Sequence, residues 1–218
     1  MATTNKKSRS SISSIELVGA AKFFNGRAVF QNMHVTLQKG EAWSITGPNG
    51  SGKSTLIKVL GGFTGLSEGK IHWQAHDHPV VNADIYQYCS LAAPYLELFE
   101  SFTLEENIRF YGSLKGFRHD MGDSDVMEFI GLKHAANKPI RDFSSGMKQR
   151  TKLGLAYCAD TDILLLDEPL TNLDSKGYEW YRNIPDDYIK SRIVVVGSNL
   201  EGDETWFCSH RISMTIPG

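Results

Sequence analysis

Residues Gly47-Pro48-Asn49-Gly50-Ser51-Gly52-Lys53-Ser54-Thr55 fit the pattern G-x-x-x-x-G-K-[S/T]. Glycines at these positions let the backbone curl until successive N–H groups face one centre, and a helix opening behind them adds the positive end of its dipole. Such a nest suits a polyphosphate, so the stretch implies a nucleoside triphosphate ligand. The backbone of Gly47, Asn49, Gly50, Ser51 and Gly52 supplies the cradle. Lys53 would reach the β- and γ-phosphates, the Ser54 hydroxyl would take one position on a magnesium ion, and Thr55 would add a donor. The flanks suit the motif: residues 41–46 read as a strand entering the loop and residues 54–60 as a helix leaving it.

Composition sets the bounds around that loop. A chain of 218 residues can bury one large core, alone or with a subdomain. Hydrophobic residues make up 41% and charged ones 22%, as in soluble globular proteins, and no apolar run nears the roughly 20 residues of a spanning helix. A role at a membrane would therefore need a separate membrane subunit. A net charge of −2 gives no electrostatic case for nucleic acid as a partner. Three cysteines, Cys89, Cys158 and Cys208, have no metal-type spacing and read as reduced, packed thiols. Residues 1–14 are polar and basic with no apolar region behind them, which reads as a disordered tail or expression scar. A transit peptide or a nucleic-acid arm are the other readings.

Outward from the loop, short strands are expected at residues 15–18, 33–37, 70–73 and 88–92. From residue 103 the period becomes helical. Thr103-Leu104-Glu105-Glu106 has the form of a capping box, residues 123–130 closed by Gly131 form a second helix, and Ser144 or Ser145 caps a third running to about residue 159. Two continuous apolar runs, 163–166 and 193–196, are then expected as parallel strands covered on both faces. The chain reads as one α/β domain, 15–218, with its core at about 15–93 and 160–218 and a helical insertion at about 94–159.

Asp167 and Glu168 follow the first apolar run, and so emerge at the carboxyl end of its strand, where open α/β sheets place ligands. Asp167 would hold magnesium. Glu168 would polarise the attacking water as general base. An acidic strand end beside the turn at Pro169 is the plainer alternative for these two residues taken alone.

The order of motifs resembles the ATP-binding cassette (ABC) family: phosphate loop, helical insertion, Phe143-Ser144-Ser145-Gly146-Met147-Lys148-Gln149-Arg150, then residues 163–169, then Leu170-Thr171-Asn172-Leu173-Asp174. The eight residues from Phe143 match the family's L-S-G-G-Q-x-Q-R in type at Ser144, Gly146, Gln149 and Arg150. The resemblance implies a P-loop NTPase (RecA-like) core with an antiparallel β-subdomain and an inserted α-helical subdomain. It implies ATP and Mg2+ as cofactors and a second cassette, identical or different, closing head to tail so that Ser144 and Gly146 reach ATP held by the other phosphate loop. Residues 170–174 would line that interface. It also implies an integral-membrane permease as partner, and so a cytoplasmic chain, peripheral on the cell membrane. Phe24 occupies the place of the family's adenine-stacking ring, with simple burial of Phe23 or Phe24 as the rival. The aromatic run 95–102 sits where the family docks a helix of the membrane subunit, with burial inside the insertion as its rival.

Two positions that bear on catalysis depart from the family's pattern, and in the signature Met147 for glutamine and Ser145 for glycine are milder departures. The family's glutamine between core and insertion aligns with Pro94, which has neither a polar side chain nor an N–H. Gln87 lies too early to replace it and reads as surface. The family's histidine after the last core strand aligns with Asn199, whose amide can donate to the γ-phosphate but carries no proton or charge. Slow hydrolysis is therefore expected, with Asn199 kept beside Glu168 and Lys53 as a catalytic candidate. His72, His76 and His78, with Asp77, divide between a strand and a turn and do not gather as metal ligands. No long C-terminal regulatory domain is expected after Asn199. Three readings remain: a transporter's ATPase subunit, a soluble non-transport ABC ATPase, and a degenerate cassette that binds ATP as a regulatory or structural partner.

Overall fold

The computed structural model describes residues 10–76, 78–199 and 202–216. Residues 1–9 of the expected tail, and Asp77, lie outside the described residues.

Two sheets build the core. The first is antiparallel, in the order β2-β1-β4-β5, with β1 at Ile12–Phe24, β2 at Arg27–Gln38, β4 at Glu68–Ala75 and β5 at Pro79–Val80. The tail expected over residues 1–14 is thereby corrected, because residues 12–14 are strand. Ile12 is fully buried and pairs with Ala75, and the Ser14 backbone pairs with Gln38 and Gln74 on either side. The serine-rich composition of this stretch hides a strand whose inward positions are isoleucines.

The second sheet is parallel throughout, in the order β6-β7-β8-β3-β9. Its strands are β3 (Ala42–Thr46), β6 (Cys89–Ala92), β7 (Ile163–Asp167), β8 (Ile193–Ser198) and β9 (His210–Ser213). Its two apolar runs divide their side chains between the two faces, as the period of two requires. Ile163, Leu165, Ile193 and Val195 meet Leu56, Ile57 and Leu60 of α1 (Lys53–Leu60), which lies between this sheet and Ile15, Leu17 and Leu37 of the other. Leu164, Leu166, Val194 and Val196 meet Leu153 and Tyr157 of the third insertion helix on the opposite face. With both faces covered, the strands need no polar alternation. The indole of Trp73 on β4 donates to the Leu60 carbonyl at 2.9 Å, tying the antiparallel sheet to the end of α1.

The insertion holds α2 (Leu104–Lys115), α3 (Asp123–Ile130) and α4 (Ser145–Cys158). Each starts where its cap chemistry says it should. Glu106 N–H donates to Thr103 Oγ1 at 3.2 Å and Thr103 N–H to Glu106 Oε2 at 2.8 Å, a complete capping box. Ser144, not Ser145, caps α4, accepting from Met147 N–H at 3.2 Å. Leu104, Ile108, Val126, Ile130 and Leu155 close this region around its own core. After β7 come α5 (Ser175–Arg182), capped by Asp174, and α6 (Asp187–Lys190).

Candidate functional site

β3 delivers the chain into the glycine loop and α1 takes it away, so residues 47–52 cross the carboxyl end of the parallel sheet. Gly47 (φ +149°) and Gly52 (φ +97°) take backbone angles that L side chains rarely adopt. Both are also sterically closed. A Cβ on Gly47 would lie 2.3 Å from the Met214 carbonyl, and one on Gly52 would lie 2.2 Å from Val29 Cγ1. The tightness at Gly52 shows that β2 lies against the loop, which brings the β1–β2 turn carrying Phe24 to this end of the molecule.

Four candidate side chains meet beyond the loop. The Lys53 ammonium, on a residue only 5% exposed, donates to the carbonyls of Gly47 at 2.8 Å and Pro48 at 3.2 Å, and to Asn199 Oδ1. Asn199 in turn donates through Nδ2 to Glu168 Oε1 at 2.6 Å. One amide thus accepts from the lysine and donates to the carboxylate. Glu168 has φ +46°, a left-handed angle rare outside glycine, and its N–H donates to the Gly197 carbonyl of β8 at 2.8 Å. That angle carries its side chain out of the strand direction at the point where Asn199 meets it.

Asp167 is 1% exposed, beside Ser54, whose side chain hydrogen-bonds to it. Burial pushes the Asp167 carboxyl above its ordinary range, the Glu168 charge adds to that, and the Ser54 bond, Lys53 and Lys58 partly offset it. Its Oδ1 is buried with no hydrogen-bond partner among the described residues. A hard cation would satisfy that oxygen, and a carboxylate beside a serine hydroxyl is the donor chemistry magnesium takes together with phosphate oxygens. The residues present fit the metal.

Phe24 is 52% exposed, with the Lys22 ammonium 5.0 Å from its ring centroid, so burial is not what holds it. The half-buried ring of the pair is Phe23. Ser144 and Gly146 stand apart from the loop. Among the described residues, Ser144 engages its own helix start, and Gly146 faces Asn172, where an added Cβ would lie 3.1 Å from the carbonyl oxygen. Gln149, buried, donates to the Pro169 carbonyl at 3.0 Å, and Asp174 caps α5 through Gly177 N–H at 2.7 Å. The start of α4 and the segment after Glu168 are therefore packed together within one chain.

Pro94 follows β6, and the Lys152 ammonium reaches the Ala93 carbonyl at 3.2 Å. Tyr95, the next residue, is expected from the sequence only as part of the aromatic run 95–102, not at the nucleotide site. The Lys58 ammonium lies 4.0 Å from its ring centroid, while burial and the Asp167 charge push its phenol upward, so this ring stands at the Asp167 side of the site. Glu204, also unforeseen at the site, is treated below. In the run 95–102, Phe99 stacks on Phe102 at 5.2 Å and meets Phe110 of α2 edge-on at 5.0 Å. All three rings are exposed, Phe99 by 51%, so burial inside the insertion is corrected for all but Leu98. The three rings touch one another and form an apolar patch at the surface.

Residues 30–171 match the family described as ABC transporter. The chain belongs to the ABC transporter family. It is 33% identical over 165 residues to the Nod factor export ATP-binding protein I of Rhizobium johnstonii, covering 73% of this chain and 52% of that protein. It is 31% identical over 185 residues to the ABC transporter I family member 1 of Arabidopsis thaliana, covering 82% of this chain and 79% of that one. The chain spans 52 to 64% of the length of several curated relatives it matches, the Rhizobium johnstonii protein among them. Its fold is that of a solved ATP-binding subunit of an ABC transporter, with a TM-score of 0.76, 18% identity, and coverage of 93% of this chain and 87% of that one. The α/β P-loop architecture with its antiparallel sheet is the family's. Among the described residues no helix is long and apolar enough to cross a membrane.

Proposed function

We propose that this chain binds ATP with Mg2+ and hydrolyses it as the ATPase subunit of an ABC transporter. On this reading it sits on the cytoplasmic face of the membrane against a separate permease and closes head to tail with a second cassette. The observation that carries the chemistry is the hydrogen-bonded series Lys53–Asn199–Glu168 beside the unpartnered oxygen of Asp167.

Each residue has a task that its contacts support. The loop N–H groups and the α1 N-terminus hold the phosphates. Lys53 exchanges the carbonyls of Gly47 and Pro48 for phosphate oxygens, trading neutral acceptors for anionic ones. That exchange frees the Asn199 amide to meet the γ-phosphate. Ser54 and Asp167 would hold the magnesium ion, which when bound neutralises charge on the phosphates. Glu168 accepts a proton from the attacking water, and Asn199 keeps its carboxylate aimed. Phe24 offers a face for the adenine ring, which reads the base weakly. Ser144 and Gly146 would complete the site of the other cassette, so ATP bound between the two favours closure and hydrolysis releases it. The ring cluster of Phe99, Phe102 and Phe110 suits a permease helix.

Pro94 and Asn199 support slow turnover, because neither carries the polar or ionisable group of the family pattern. Pro94 also favours a second reading, a degenerate cassette that binds ATP with little hydrolysis. Steady-state phosphate release by the full chain, with and without Mg2+ and with the permease recovered from gently solubilised membranes, separates them. A slow Mg2+-dependent rate that Lys53→Ala lowers by at least about 100-fold is expected, the loss of more than one charge-assisted hydrogen bond. No release by the wild type even with its permease would establish the degenerate reading.

A further inference from the structure

Glu204 is 2% exposed and lies outside the motifs quoted above. Both of its carboxylate oxygens accept hydrogen bonds, and the donors come from the two segments that carry the proposed chemistry. The Leu170 N–H, two residues after Glu168, donates to Oε1 at 3.0 Å, and the Ser198 hydroxyl, one residue before Asn199, donates to Oε2. The Glu204 backbone is anchored as well, its carbonyl accepting from the fully buried Tyr181 phenol on α5 at 2.7 Å. Burying a carboxylate is costly unless hydrogen bonds repay it. An apolar residue here would leave the Leu170 N–H and the Ser198 hydroxyl without this acceptor, so the carboxylate's distinguishing property is its pair of acceptors.

We propose that Glu204 is a positioning residue that makes the γ-phosphate side chain Asn199 and the segment 170–174 move as one. The inference rests on the nucleotide-binding reading above. Asn199 is held by Lys53 and Glu168, and a phosphate oxygen that takes the place of Asn199 on the Lys53 ammonium breaks the first of these contacts. A shift of Asn199 displaces Ser198, and Ser198 is bound to the same carboxylate as Leu170. From Leu170 the segment runs along Asn172, whose carbonyl packs on Gly146, while Gln149 of α4 grips Pro169 one residue upstream. Occupancy of the chain's own phosphate site would thereby reach the α4 start that faces the other cassette. The two routes out of the site differ in kind. Glu168 N–H to Gly197 is backbone and fixed by the sheet, whereas the Glu204 contacts are side chain and can be removed by substitution.

Hydrogen exchange by mass spectrometry on the full chain tests this, with and without the magnesium complex of a β,γ-imido ATP analogue. In the wild type the analogue should slow exchange over residues 47–55 and over residues 168–174. Glu204→Ala should keep the first effect and lose the second. Glu204→Gln should keep both, since its amide oxygen accepts from Leu170 and its NH2 group donates to a reoriented Ser198 hydroxyl. A purely structural Glu204 would raise exchange around β8 and α5 with and without the analogue alike and leave the analogue-dependent slowing at 168–174 in place; that result overturns the proposal. Ser198→Ala, which removes a single hydroxyl, should reproduce the selective loss and serves if Glu204→Ala does not fold. Absence of slowing at 47–55 in the wild type would overturn the nucleotide reading itself, and the inference with it.

Discussion

At the phosphate loop, Lys53 and Asp167 are buried, and Lys53, Asn199 and Glu168 are linked side chain to side chain within one chain. At the start of α4, by contrast, Ser144 is exposed and caps Met147 N–H, and Gly146 is half-buried against Asn172. Both are helix N-termini with glycine and hydroxyl groups, a chemistry that suits anions, and on the proposed reading both meet phosphate. They differ in completeness. The first gathers a cation, a metal-type carboxylate and a candidate base around one centre, and the second brings only donors. On the proposed reading a single polypeptide accounts for nucleotide capture, while the second terminus serves the nucleotide of another cassette.

The comparison breaks most sharply at Glu168. If it is the base, Glu168→Gln should cut hydrolysis by about 100-fold or more while ATP affinity stays within a few fold, because an amide can keep the Asn199 contact but cannot take a proton. The same variant should hold ATP in a dimer resolved by size-exclusion chromatography. A Glu168→Gln chain that still turns over ATP at the wild-type rate would remove this residue from the mechanism and leave the first terminus a binding site only.

A smaller effect is expected at the exposed terminus. Ser144→Ala removes a cap and a donor together. Losing the cap costs about 1 kcal/mol, a fall of roughly 2–4 °C in Tm for a chain this size. Losing the donor should lower hydrolysis about tenfold, the worth of one hydrogen bond to a charged group. Its distinguishing mark is concentration dependence: ATP affinity measured on dilute chain should not change, and the rate deficit should shrink as cassette concentration rises. Equal loss of monomer affinity would show that both termini serve one nucleotide in one chain.

What could be read in the sequence follows from how local its causes are. The loop, α1, the capping box at Thr103, the closure of α3 by Gly131 and the Ser144 cap are each decided by a few adjacent residues, and the structure has them within a residue or two. The apolar runs of β7 and β8 were as plain, since burial on both faces leaves no polar interruption. β9 gave no such signal. It is four residues long, its burial is mostly exposed, and it exists because the edge of β3 accepts it from Trp43 to Thr46. The early start of β1 was lost among serines for the same reason: pairing with β2 and β4, not composition, makes Ser13 and Ser14 strand. At the site, Lys53, Asp167 and Glu168 sit in motifs whose spacing is fixed by one loop and one strand end. Tyr95, Lys58 and Glu204 have no such spacing. They reach the site because α1, the turn after β6 and the segment after Asn199 converge there, which only the tertiary structure brings about.

The smallest expected effect concerns what the first terminus costs the chain before it has a ligand. Asp167 is raised above the ordinary carboxylate range chiefly by burial, so its ionised form is disfavoured in the fold relative to the unfolded chain. For a raised carboxyl, the contribution to stability is whole below the unfolded value of about 3.9 and is lost as pH climbs through the folded value. The cost of ionising this buried carboxyl, one oxygen of which has no hydrogen-bond partner among the described residues, therefore falls on the fold as pH rises. Asp167→Asn removes the charge and keeps the shape. In thermal melts of nucleotide-free chain from about pH 4 to pH 7.5, the variant should draw level at the acid end. Toward neutrality it should become the more stable by a few degrees, on the order of 1 kcal/mol. Mg2+ with ATP should reverse the ranking, because the cation binds the carboxylate and not the amide, and a ligand that binds only the folded wild type stabilises it by mass action. A wild type that outlasts Asp167→Asn at neutral pH without ligand would mean that the carboxylate has a partner in solution, and the contrast between a finished, costly site and an open helix end would lose its energetic basis.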